Sequence, residues 1–279
     1  MANETTSSTI SELYTEIVAE ALFVASEQSI MRNLVRNYTI AGGGKSVEVP
    51  IYANVSASAV NEATDLSNTA INPTSVTITA SEVGIMTTLT DLARNSASRN
   101  VAGDIGRLFG ESIARKIDAD LSALFTGFST ERGGGAGNEL TVQDLFEAAA
   151  DLRTANAPAP YYGVFHPKQI FNVKKSLTNT FVGRDTELSN EAMRSGFVGN
   201  IAGIQIFESS NVSVDGSDDS IGGVFSQDAL ALAMMQDLKI ESQRDASLRA
   251  DELVATAVFG VSEIHDSYGV KLTADSLAN

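Results

Sequence analysis

AGGGKSVEVP, residues 41–50, decides between two folds. Gly44, Lys45 and Ser46 match the end of a phosphate-binding loop, G-x-x-x-x-G-K-[ST], whose backbone N–H groups cradle a nucleotide. That loop needs a glycine five positions before Gly44, where Thr39 stands, and a helix after it. Here Val47, Val49 and Ile51 stand on alternate positions instead, with Pro50 between them. Period two is the signature of a strand with one buried face. Spacing and context both speak against an NTPase. Three glycines are left at the foot of a strand.

Working outward, residues 45–53 and 75–90 read as two long strands, the second being TSVTITASEVGIMTTLT with Val76 and Ile78 on one face. Between them lie some twenty small and polar residues, NVSASAVNEATDLSNTAINP. A loop of that length is uncommon inside a compact domain and usually has a function. It is too apolar for a plain linker. Two strands alone are marginal in water, so this excursion should lean on another surface.

Upstream, residues 9–36 carry a capping-box pattern, Thr9 with Glu12, and roughly helical spacing of Leu13, Ile17, Val24 and Leu34. This segment reads as an arm. Downstream, residues 101–125 form the clearest helix. Val101, Ile105, Leu108, Phe109, Ile113, Ile117, Leu121, Leu124 and Phe125 recur in steps of three and four. At 1.5 Å per residue it spans ~37 Å. GGGAG at 133–137 breaks the chain. A shorter helix over 141–153 is capped by Thr141, with Val142, Leu145, Phe146, Ala149 and Leu152 inward. YYGVF at 161–165 is a buried strand, and His166-Pro167 opens a further helix. Ile204 to Phe207 form a strand, VDGSDDSIGG is a loop, and strands dominate from residue 224 onward. Without a βαβα rhythm, the class is α+β.

Composition sets outer bounds. The chain has 279 residues, 43% of them hydrophobic, enough for one large domain or two ordinary ones. There is no cysteine, which excludes disulfides and thiolate metal sites. No apolar run approaches a membrane span. The first residues lack the basic start and apolar centre of a signal peptide, so a cytosolic origin is expected. Net charge is −16, which repels phosphate backbones and argues against a general nucleic-acid-binding face. The small basic clusters, Arg32 with Arg36 and Lys174 with Lys175, read as solvated helix faces.

Candidate chemistry is thin. His166 and His265 stand outside any zinc-binding spacing. His265, Asp266 and Ser267 are consecutive, whereas a triad converges from separate places. Asp215, Asp218 and Asp219 lie in a Gly/Ser loop without EF-hand order and read as a turn. Glu62 and Asp65, in the hairpin tip, read as surface or interface charge rather than paired acid and base. No catalytic, cofactor-binding or metal-binding residue is assigned.

The order of parts carries the remaining information: arm, two-stranded excursion, long helix, glycine break, mixed region, long closing strands. This order resembles the major capsid proteins of tailed bacteriophages, with the Hong Kong 97-type (Johnson) fold. GFVGNIAGIQIFESSNV, YYGVFHPKQI and the tail from Phe225 to FGVSEIHDSYGVKL resemble that family's stretches in the same sequence order. The resemblance implies an N-terminal arm over 1–41 and an extended E-loop over 42–83. It implies a P domain over 84–138, with its spine helix over 101–125, an A domain over 139–240, and P-domain closing strands over 241–279.

It also implies a non-enzymatic coat protein that self-assembles into the icosahedral head around the double-stranded DNA of a tailed phage. The expected partners are copies of itself in pentamers and hexamers, a separate scaffolding protein, a portal, and DNA held without sequence-specific contacts. No membrane is expected. The location is the virion, after assembly in the host cytoplasm. Gly42, Gly43 and Gly44 then read as a hinge between arm and E-loop. Glu62 and Asp65 are expected to meet Arg94 or Arg99 of a neighbour. Lys45 lies at the loop's root; the founding member's lysine–asparagine cross-link is not carried over to it. Two alternatives stay open: an encapsulin-type compartment shell of the same fold, and a cytosolic α+β enzyme or ligand-binding domain.

Overall fold

The computed structural model describes residues 18, 21, 29–41, 44–52, 55, 57, 59–61, 65, 68, 70–96, 101–180 and 197–276. Most of the expected helix over 9–36 lies outside them. Its end is not helical: Met31–Asn33 is one 3-10 turn, and Arg36–Thr39 is strand β1. Pairing overrides the helical spacing there, because β1 lies parallel to a later strand, with Arg36 opposite Ala231.

The remaining strands are β2 (Ser46–Ile51), β3 (Thr74–Thr79), β4 (Ser81–Thr90), β5 (Glu131–Arg132), β6 (Tyr161–Phe165) and β7 (Phe197–Ile201). After them come β8 (Ile204–Glu208), β9 (Asp219–Ser226), β10 (Leu230–Asp245), β11 (Ala250–Glu263) and β12 (Gly269–Asp275). Among the described residues they make three sheets, ordered β1-β10-β11-β4, β5-β12-β9-β6-β8-β7, and β2-β3. The class is α+β. Helices run over Asp91–Ser96, Val101–Ala123, Val142–Thr154 and Pro167–Thr180.

The long helix Val101–Ala123 crosses one face of the four-stranded sheet. Phe109, Ile113, Ile117 and Leu121 pack with Leu238, Ile240, Leu253 and Phe259 in one core. A side chain every fourth residue keeps this stripe on one face. Leu108, expected inward, is 61% exposed. Ile105, Phe109 and Ile113 already carry the packed stripe, and Leu108 stands off it. A 3-10 turn, Leu124–Gly127, comes next and buries Phe125.

The six-stranded sheet is covered on both faces. Val164 and Phe225 join Phe125 and Phe128 on one side. Their neighbours Phe165 and Val224 face Leu145, Leu152, Ile170 and Val173 of the two shorter helices on the other. Thr141 caps the first of these helices through a reciprocal capping box with Asp144. Phe146, expected on its buried face, is 56% exposed. Leu145, Ala148, Ala149 and Leu152 already complete the inward stripe.

The sheets cross the expected segments. A cut at 240/241 would pass through β10. Strand β12, expected to return with the other closing strands, pairs with β9 in the six-stranded sheet. The expected single strand over 75–90 also breaks, at Ala80, where the chain leaves β2 and joins β11. Ala80 donates its N–H to the Lys45 carbonyl at 2.8 Å. Gly260 makes this crossing possible. A Cβ there would overlap the Thr79 carbonyl oxygen and lie 2.8 Å from its carbon.

Candidate inter-subunit interface

The β2–β3 hairpin divides into a buried root and an exposed tip. Val47 sits opposite Ile78, and Val49 opposite Val76, which aligns the apolar positions on one face. That face is seated on its own subunit. Val49 and Ile78 are 6% and 1% exposed, packed with Ile40, Ala80, Ala231, Ala233 and Ile264. Strand β10 explains the fit: Leu230 and Leu232 point to the long helix, while the small Ala231 and Ala233 let the hairpin approach from the other side. The excursion, expected to lean on another surface, thus rests its root on the sheet of its own subunit.

The tip differs. Every described residue from Tyr52 to Pro73 is exposed. Tyr52, Val55, Val60 and Ile71 are 63%, 58%, 48% and 56% exposed. Single exposed apolar side chains are ordinary on a surface; here four fall within one segment.

The expected interface residues are only partly within reach. Asp65 and Lys45 are exposed, and Lys45 contributes its carbonyl to the Ala80 bond. Gly42, Gly43, Glu62 and Arg99 lie outside the described residues, as does the side chain of Arg94 in helix Asp91–Ser96. Gly44 is described and shows no left-handed φ; a Cβ there would meet nothing closer than 3.7 Å. The hinge argument therefore does not hold for Gly44 itself.

Other candidates resolve into structural roles. His166 caps the start of its helix: its Nδ1 accepts from the Lys168 N–H at 3.4 Å, and burial pushes its pKa down. The His265 ring lies 4.6 Å from Tyr268. Asp266 accepts from the N–H of Ser129 at 2.8 Å and from its hydroxyl. Burial raises the pKa of nearby Glu263, and the charge of Asp266 raises it further. Asp215 Oδ1 accepts from the N–H groups of Ser217 and Asp219, and Asp219 Oδ1 from that of Gly137, which makes this loop a braced turn. Lys174 and Lys175 pair with Glu208 and Glu139 at 2.8 Å each. Arg32 and Arg36, expected as a solvated helix face, pair with Asp237 and Asp228. Among the described residues no group of His, Asp and Glu is placed to hold a metal ion, and no helix is long and apolar enough to cross a membrane.

One residue escaped the sequence reading. Asp118, on the buried stripe of the long helix, is 1% exposed. Its carboxylate accepts from the Ser29 hydroxyl (2.7 Å) and the Met31 N–H (3.1 Å) on Oδ1. On Oδ2 it accepts from the Ile30 N–H (3.2 Å) and the Asn211 amide (3.5 Å). Burial raises its pKa, opposed first by the Ser29 bond. The available signal was its spacing: Asp118 stands four residues after Ala114 and three before Leu121, on the apolar face, whereas Asp120 follows Lys116 by four.

The architecture recurs in phage heads. The capsid of Ralstonia phage GP4 aligns with a TM-score of 0.70 at 10% identity, covering 87% of each chain. That of cyanophage P-SCSP1u gives 0.66 at 20% identity, covering 88% of this chain and 87% of that one. The virus-like particle from Pyrococcus furiosus gives 0.62 at 10%, covering 92% and 98%. At such identities these likenesses establish the fold, which is the Hong Kong-type capsid fold. No curated protein matches the chain in sequence. A family model described as phage capsid protein matches residues 73–271, from the returning hairpin strand into β12, and the chain therefore belongs to the phage capsid protein family.

Proposed function

We propose that this coat protein closes its shell by laying the 52–73 tip of each subunit over a neighbouring copy, in rings of five and six. The carrying observation is the contrast along one hairpin: a root packed on its own sheet and a tip with Tyr52, Val55, Val60 and Ile71 largely exposed. A rigid root aims the tip, so the ordering cost at assembly falls mainly on the tip. Head-to-tail contacts of this kind close into rings. Many modest contacts then add through multivalency. Asp65 and Glu62 lie at the rim, facing Arg94 or Arg99 of the neighbour, where such pairs contribute about 0–1 kcal/mol each.

In the same reading the shell is the icosahedral head of a tailed phage, assembled in the host cytoplasm with a separate scaffolding protein and a portal. It encloses double-stranded DNA. A net charge of −16 agrees with DNA held without specific contacts, since acidic side chains do not bind phosphates. The subunit performs no catalysis. A compartment shell of the same fold is the second reading.

Electron microscopy of the full-length chain, expressed alone and with its candidate scaffold, tests the proposal. Closed shells or tubes are expected. A monodisperse small species under both conditions, with a saturable small ligand, would overturn it. Shells that load protein cargo instead of DNA would select the second reading.

A further inference from the structure

We infer that Asp118 is a latch that couples the amino-terminal segment to the loop after β8, so that each seats on the long helix more firmly when the other is in place. The segment Ser29–Met31 and the loop Ser209–Val212 are far apart in sequence and meet at one buried carboxylate. Both oxygens are engaged: Oδ1 holds Ser29 and Met31, and Oδ2 holds Ile30 and Asn211. Each of these donors is uncharged. A buried carboxylate with such a set is stabilised only by the sum of its hydrogen bonds, so losing one donor weakens its hold on the rest.

The two tethered segments belong to different sheets. Four residues after Arg32 the arm becomes β1 of the four-stranded sheet. The loop leaves β8, and the Ser209 N–H donates to the Phe165 carbonyl of β6 in the six-stranded sheet at 3.0 Å. One side chain of the long helix thus fastens both sheets at one point. Beside it lies a cleft of about 230 Å³ whose lining includes Ile30, Ala114, Arg115, Glu208, Ser209 and Asn211. That space lets arm and loop part without displacing the helix. Coupling between two such attachments is reciprocal: what loosens the loop must loosen the arm by the same factor.

Hydrogen exchange on the full-length chain, read by mass spectrometry, tests this with three variants. Asn211→Ala touches neither arm amide, yet it should speed exchange at Ile30 and Met31 by roughly twofold to fivefold. Ser29→Ala should speed exchange at Asn211 and Val212 by a similar factor. Asp118→Asn puts an NH2 in place of one oxygen that accepted two donors, whichever way the amide turns, and should speed both segments by roughly tenfold or more, with Ile117 and Leu121 still protected. Unchanged arm amides in Asn211→Ala would overturn the coupling, whatever Asp118→Asn does. Unchanged exchange at both segments in Asp118→Asn would overturn the latch. If Asp118→Asn loses protection along the whole helix, the other two variants decide.

Discussion

Replacing Gly260 by alanine should strain the seat of the β2–β3 hairpin. The added Cβ would overlap the Thr79 carbonyl oxygen, lie 2.8 Å from the Thr79 carbonyl carbon and 3.1 Å from the Ala80 nitrogen. Ordinary carbon contacts begin near ~3.5 Å. Neither backbone can yield easily. Gly260 is paired with Ala233 and lies within the long β11 ladder, while Thr79 is paired with Ser46 and Ala80 is bonded to Lys45. Overpacking of this kind costs about 1–3 kcal/mol, and a backbone neighbour on both sides places it toward the upper end. The alternative to absorbing that cost is for the hairpin root to lift, exposing Val49 and Ile78. Each such side chain contributes about 1.5–3 kcal/mol when buried, so lifting both costs about 3–6 kcal/mol and absorbing the strain in place is the cheaper route. Urea unfolding should show a loss of about 2–3 kcal/mol, with faster exchange at the Ala80 amide and a lower shell yield. Gly44→Ala is the control: its Cβ would meet nothing closer than 3.7 Å, and stability should change by less than about 1 kcal/mol. Equal stability of Gly260→Ala and the parent, with Ala80 still protected, would refute the argument that close approach at this crossing sets the hairpin's direction.

Polar substitution of the tip, Tyr52→Ser with Ile71→Ser, should leave the isolated subunit's unfolding within about 0.5 kcal/mol of the parent while abolishing particles in micrographs. Asp65→Arg should reduce shell yield without altering the subunit's circular dichroism. Glu263→Gln addresses pH. Burial and Asp266 raise the folded pKa of Glu263 above its unfolded value, so the native state binds the extra proton and ionisation weakens it. The penalty is absent below the ordinary glutamate range and grows as pH rises through the folded value. The variant should therefore melt higher than the parent at pH 7, and the gap should close in acid; a constant gap would contradict the assignment. Thr141→Ala removes one half of the capping box and should cost about 1 kcal/mol in urea unfolding, with no effect on particle form.

Much was determined along the chain. Alternation of Val47, Val49 and Ile51 fixed a strand, because a strand turns successive side chains to opposite faces whatever it packs on. The four-residue recurrence from Ile105 to Phe125 fixed the long helix, and Thr141 with Asp144 fixed the start of another. These are local rules, and local sequence obeys them. Leu108, Phe146 and the strand at Arg36–Thr39 went otherwise, since which apolar residue is covered depends on what lies opposite. The tertiary structure alone decided where the hairpin sits, because Gly260 and the alanines of β10 are some 150 residues or more away from the strands they admit. It alone decided the role of Asp118, whose donors come from two distant segments. Contacts across such separations are set by three-dimensional packing, which neither periodicity nor spacing encodes.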